Sequence, residues 1–209
     1  MRSAEAARRT FAHTLLGQLG QELPVSTPRM PTPFGHAIGG LAAALFANSA
    51  ARRPGLSPRL LLAAVAAAVS PDLDILVGSH RTYTHSVAAV VIVGLVSWVA
   101  LRRTSNAAAA AAAITAAYAS HLALDWLGKD TSSPAGLTAL WPFSSAFFLS
   151  GCELFGEVSR RYWLPGEFIF GNFKALGWEM LVLMPVMLIA WVVWSGRTVH
   201  GRSSIVDRR

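Results

Sequence analysis

Five stretches of the chain are apolar and nearly free of charge: Phe34 to Ala51, Leu60 to about Val77, Ser86 to Leu101, Asn106 to Leu127, and Leu176 to Trp194. A bilayer core takes roughly 20 residues of helix, with about 17–25 as the working range. With their flanks, the last three stretches meet that length. The first two fall near its lower edge, and the second is interrupted by Pro71, Asp72 and Asp74. Taken alone, those two would read equally well as buried core helices. Together the five predict an all-α fold: a polytopic membrane helical bundle of about five spans, covering residues 34–196. A long connection, Gly128 to Ala175, precedes the last span and has apolar stretches of its own at Leu137–Phe148 and Glu167–Phe173. It is too long for a featureless loop, so partly helical or re-entrant structure is expected there. Residues 1–33 form a leader without the apolar core of a signal peptide. It reads either as an interfacial segment or as an extension upstream of a start at Met30.

Composition strengthens the membrane reading. Of the 209 residues, 53% are hydrophobic and 14% are charged, against about 25% charged in ordinary soluble domains. The balance is basic, with 18 Lys and Arg against 11 Asp and Glu. The basic residues decide between nucleic acid and membrane by where they fall. Arg52, Arg53 and Arg59 separate the first two stretches, Arg102 and Arg103 separate the third and fourth, and Arg197, Arg202, Arg208 and Arg209 follow the fifth. With alternating spans these groups share one side, which the positive-inside rule makes the cytoplasm. The tail, 197–209, is then cytoplasmic, and no nucleic-acid partner is expected. Cys152 is the one cysteine, so no disulfide forms within the chain.

The polar residues inside this apolar frame carry the chemistry. His36 opens the first stretch, ahead of Gly39 and Gly40. Pro71-Asp72-Leu73-Asp74 ends the second, and His80-Arg81-Thr82-Tyr83-Thr84-His85-Ser86 opens the third. His121-Leu122-Ala123-Leu124-Asp125 closes the fourth, with His121 and Asp125 on one helix face. Singly these have plain explanations. Asp72 after Pro71 serves as a turn or cap residue, Thr84 or Ser86 as an N-cap, and His121–Asp125 as a hydrogen-bonded pair. By parity, however, all of them fall at the same bundle end, opposite the arginines. Ionisable groups at membrane depth are costly unless paired, hydrated or ligated. Histidine and carboxylate are the donors a zinc-like ion accepts. His36, Asp72, Asp74, His85, His121 and Asp125 are therefore the expected ligands of one or two divalent ions, with Zn ahead of Mn or Mg. His80, Thr84, Ser86 and Asp130 are expected to hold the ligands in place.

The same residues, with Trp141-Pro142-Phe143-Ser144, resemble those of the YdjM-like membrane-bound metal-dependent hydrolases of bacteria and archaea. The resemblance runs from about Pro33 to Ser150 and, more weakly, through the last span. It implies a helical inner-membrane protein with a metal site. After Asp125 the sequence Gly128-Lys129-Asp130-Thr131 departs from the commoner pattern, in which Thr and Gly follow closely.

No Gly-x-Ser-x-Gly elbow is present, so a hydrolase here would rely on a metal-activated water. A carboxylate left unligated would act as general base; Asp72 and Arg81 are the expected catalytic residues, Arg81 as the group for an anionic substrate. A site at bilayer-surface depth points to membrane lipid as partner and to a lipid phosphoester as substrate. Two other functions compete: a transporter, whose path Glu179 would begin, and a non-catalytic scaffold around a structural metal. A site closed to further ligands would favour the scaffold.

Overall fold

The computed structural model describes residues 31–51, 56–77, 81–130, 134–156, 158 and 163–206. Nearly all of the leader, and His80, lie outside these residues. Five α-helices are present among them, with no strand: α1 (Pro33–Ala50), α2 (Pro58–Val69), α3 (Val87–Leu101), α4 (Ala107–Leu127) and α5 (Pro165–Val206). Two 3-10 segments, Ser70–Val77 and Tyr83–His85, lie between α2 and α3.

The first three helices start on side-chain caps that the sequence supplies. Thr32 accepts from the Gly35 N–H ahead of Pro33, Ser57 from Leu60 ahead of Pro58, and Ser86 from Ala89. Each cap satisfies an N–H that has no partner within its helix. Pro at the first helical position fits because its missing N–H is not needed there.

α1 is the hub, packed on α2, α4 and α5. Its small residues allow the approach. A Cβ at Gly40 would stand 2.2 Å from the Ala68 Cβ, and one at Gly39 would stand 2.6 Å from the Leu124 side chain. Ala44, Ala64, Ala68, Ala113, Ala117 and Ala190 fill the centre. Such small-residue seams are how helices meet in a bilayer, where close van der Waals contact replaces the hydrophobic drive. α3 packs on α4 and on the short 3-10 segment before it, and buries none of its own residues. Val91, Ile92, Leu95, Val96 and Val99 are all exposed, an apolar face that water would penalise and lipid would not.

Among the described residues, two helical stretches are long and apolar enough to cross a membrane, Ala107–Leu127 and Phe168–Arg197. α3 is apolar but shorter, at 15 residues. The expectation for the long connection is met in part. Glu167–Phe173 is helical because it is the start of α5, which begins well before Leu176. Leu137–Phe148 is not helical: its two ends pair with each other through backbone hydrogen bonds of 2.9 and 3.1 Å. The connection lies across the α4 C-terminus, where Ser150 and Leu154 donate to the carbonyls of Trp126 and Leu127. Phe155, 1% exposed, packs there with Leu124 and Leu183. At the other end of the chain, α5 continues through residues 197–206 of the basic tail.

Candidate metal centre

Each candidate residue sits at a helix end or in a turn beside one. His36 lies in the first turn of α1, Asp72 and Asp74 in the 3-10 segment after α2, His85 at the end of the turn before α3, and His121 and Asp125 near the α4 C-terminus. α4 runs opposite to α1 and to α3: Leu124 and Ala117 lie beside Gly39 and Gly40, and Tyr118 and Thr115 lie beside Thr84 and Gly94. All six residues therefore meet at one end.

Four of them form a compact group. One donor atom each from Asp72, His85, His121 and Asp125 lies within 4.8 Å of every other. The two Nε2 atoms are 3.2 Å apart. Asp125 Oδ2 is 3.3 Å from His85 Nε2 and 3.4 Å from His121 Nε2, and Asp72 Oδ1 is 3.8 and 3.5 Å from the same two atoms. Ligands about 2.0–2.1 Å from a tetrahedral ion are about 3.3–3.4 Å from one another. The five separations above, 3.2–3.8 Å, lie near that value. Asp72 Oδ1 and both Asp125 oxygens are buried without a hydrogen-bond partner, a costly state for carboxylates that a cation would relieve. The donor set fits a divalent ion.

Hydrogen bonds on the far side of each ring orient the two histidines. His121 Nδ1 is 2.7 Å from the Ala68 carbonyl. His85 Nδ1 is 3.2 Å from Asp74 Oδ2 and 3.0 Å from Thr84 Oγ1. With the proton on Nδ1, each Nε2 turns its lone pair to the centre, as in carboxylate–histidine–metal arrangements. Asp74 thus stands outside the group of four, on the outer face of His85. It also accepts from the Arg81 N–H at 3.0 Å and from the Thr84 hydroxyl at 2.7 Å. His36 stands outside as well. Its ring stacks on His121 with centroids 3.7 Å apart, and its Nε2 is 3.3 Å from Asp125 Oδ1.

The electrostatics favour positive charge at this end: the carboxylates of Asp72, Asp74 and Asp125 lie 3.2–3.8 Å from the ring nitrogens of His85 and His121.

Thr84 bonds Asp74, and Ser86 caps α3 while donating to the Tyr83 carbonyl at 2.7 Å, which fixes the turn behind His85. Arg81 is buried, and its φ of 65° is uncommon for a side-chain-bearing residue. Its guanidinium pairs with Asp130, which also accepts from the Gly136 N–H at 2.6 Å. A small pocket lies between Arg81, Asp125, Asp130, Gly136, Leu137 and Leu149. Three contributors carry no signal in the sequence: the Ala68 carbonyl, the Tyr118 hydroxyl donating to the Thr84 carbonyl at 2.6 Å, and Thr138 donating to the Thr82 carbonyl at 2.8 Å.

The comparisons with known proteins agree with this architecture. Inner membrane protein YbcI of Escherichia coli (strain K12) is 28% identical over 180 residues, covering 79% of this chain and 98% of its own. No solved structure matches the chain. The family model of the YdjM inner membrane proteins matches residues 30–200, nearly the whole helical region. The chain belongs to the YdjM inner membrane protein family.

Proposed function

We propose that this protein is a membrane-bound, metal-dependent hydrolase whose centre is built by Asp72, His85, His121 and Asp125. One observation carries the reading: donor atoms of two histidines and two aspartates, from three separate segments, lie within 4.8 Å of one another. Zinc suits a site of two imidazoles and two carboxylates, with Mn as the next candidate. A bound divalent ion supplies Lewis acidity and an activated water near neutral pH.

The residues divide their work by exposure. The side chains of His85, His121 and Asp125 are at most 2% exposed, whereas that of Asp72 is 28% exposed. The three buried donors form a His₂-carboxylate set of the kind that leaves a position open for chemistry. Asp72, the most exposed of the four, would serve as general base beside the ion if the other three hold it. Arg81, paired with Asp130 close to Asp125, is the group assigned to an anionic part of the substrate, which would have to displace Asp130 from the guanidinium. Asp130 keeps the Gly136 N–H when this happens. A phosphoester of a membrane lipid is the substrate that suits an anion-binding group at this depth.

In this reading all five helices span the inner membrane, the two short ones with help from the 3-10 segments and flanks. The arginine-rich end and the C-terminus face the cytoplasm, and the metal centre faces the other side.

A second reading has its own support. Four protein donors complete a tetrahedron, and closed sites are structural. Asp72→Asn separates the two. Purified protein is expected to hold about one divalent ion per chain, measured by mass spectrometry. If the protein is a hydrolase, Asp72→Asn keeps that ion and loses turnover on lipid phosphoesters by roughly 10²–10⁴-fold. If the variant loses its ion instead, the site is a structural scaffold. If wild-type protein stays metal-free after supplementation, the metal reading falls.

A further inference from the structure

Glu179 is the one acidic residue in the apolar Phe168–Arg197 stretch of α5, and it is fully buried. It donates nothing to the centre described above. A carboxylate at this depth calls for a defined partner, and its partner is Thr32. Glu179 Oε1 accepts from the Thr32 N–H at 2.7 Å, and Oε2 from the Thr32 hydroxyl at 2.5 Å. Thr32 is the N-cap of α1. Its Oγ1 accepts from the Gly35 N–H at 3.1 Å, and its carbonyl accepts from the His36 N–H at 3.0 Å. A continuous chain of hydrogen bonds thus runs from α5 through Thr32 to the backbone of His36.

We infer that Glu179 is a positioning residue for the metal centre, fixing His36 through Thr32; the inference rests on the metal reading above. Two further observations support it. The His36 ring nitrogens make no hydrogen bond that meets normal geometry; the ring is held by stacking on His121 and by the 3.3 Å contact of Nε2 with Asp125 Oδ1, and both contacts depend on where the turn that carries the ring is placed. The turn also approaches α5 closely at Gly35, where a Cβ would stand 2.6 Å from Glu179 Oε2 and would displace that carboxyl from its place. A carboxylate at a helix N-terminus adds the dipole's attraction to two charge-assisted hydrogen bonds, in surroundings where water cannot replace them. The opposite end of the α1–α5 seam has its own ties: Trp194 donates to Asn48 at 3.1 Å and Arg197 to the Ser49 carbonyl at 2.7 Å.

The test uses the full chain in lipid nanodiscs, with Co²⁺ titrated by its visible absorption. Glu179→Gln and Thr32→Val are each expected to weaken Co²⁺ binding by roughly tenfold or more, the range for residues that orient ligands. Thr32→Ser keeps the hydroxyl and is expected to bind as wild type does. The decisive arm is the double variant. If Glu179 acts through His36, then Glu179→Gln adds nothing to the loss already caused by His36→Asn, whereas additive losses would overturn the inference. Should wild-type protein take up no Co²⁺, the metal reading fails and the positioning of His36 is read by thiol labelling. His36→Cys in a Cys152→Ser background is expected to react slowly, and at least about tenfold faster when Glu179→Gln releases the turn. An unchanged labelling rate overturns the inference whatever the metal result. If Glu179→Gln does not insert, Thr32→Val reads the same link in both assays.

Discussion

Asp74 and Asp125 are both buried carboxylates beside His85, yet their substitutions should differ. Asp125 offers Oδ2 to the two Nε2 atoms at the centre, while Asp74 faces the outer nitrogen of His85. Removing Asp125 removes a donor, so Asp125→Asn is expected to abolish retention of the ion. Asp74→Asn leaves the donor set whole and loosens the tautomer and orientation of His85. The expected loss in metal affinity is about 10–100-fold, measured by competition with a chelating dye. Equal losses for the two variants would make Asp74 a ligand and put Asp72 in doubt. The residue types of this site were legible in the sequence, because histidine and aspartate at membrane depth have few plain uses. Their division of labour was not. Asp72 and Asp74 are two positions apart in a 3-10 segment with about three residues per turn, so they point in different directions. Which one faces inward depends on how that segment docks. The Ala68 carbonyl that orients His121 is a backbone atom any residue would supply.

At the scale of elements, the α1–α2 and α1–α4 seams depend on the absence of side-chain atoms. The Gly40 position has the Ala68 Cβ 2.2 Å from where its own Cβ would be, and two atoms of Ala117 at 3.5 Å. Ala68 belongs to the helix end that leads into Asp72, and its carbonyl holds His121. Gly40→Ala is therefore expected to force α2 outward, costing about 1–3 kcal/mol by overpacking and weakening metal retention with it. Gly177, with nothing within 4 Å of its would-be Cβ, supplies the comparison: Gly177→Ala is expected to leave the thermal midpoint unchanged or slightly raised. Equal effects at the two glycines would mean that the seam is looser than described. Apolar runs predicted all five helices, since a charge-free stretch bounded by Pro, Ser or Gly has little else to become. The extent of α5 escaped the same reasoning, because Glu167, Asn172 and Lys174 break the apolar run without breaking the helix. The fold of the Leu137–Phe148 stretch was equally hidden. It is set by backbone pairing between its own ends and by docking on α4, neither of which leaves a periodicity.

For the whole molecule, the contacts at the two ends of the α1–α5 seam define its polarity. Thr32 meets Glu179 at one end, and Asn48 and Ser49 meet Trp194 and Arg197 at the other. Residue numbers rise together along the two helices, so α1 and α5 run parallel, as the first and fifth members of an alternating bundle must. α4 runs against α1, with Leu124 beside Gly39 and Ala117 beside Gly40. The metal-site end and the end bearing Arg102, Arg103 and Arg197 are then opposite ends of one bundle. Reactive thiols can mark them. Cys152 is exposed on the connection at the metal-site end and needs no engineering. Arg103→Cys in a Cys152→Ser background marks the other end, in the turn between α3 and α4. A membrane-impermeant maleimide is expected to modify Cys152 in spheroplasts, and the thiol introduced by Arg103→Cys only in inverted vesicles. Reversal of both would keep the alternating bundle and turn it over, placing the metal centre in the cytoplasm and ruling out a substrate in the outer leaflet. Labelling of both from one side would break the alternation itself. With it would go the reason that the scattered histidines and aspartates of this chain meet in one place.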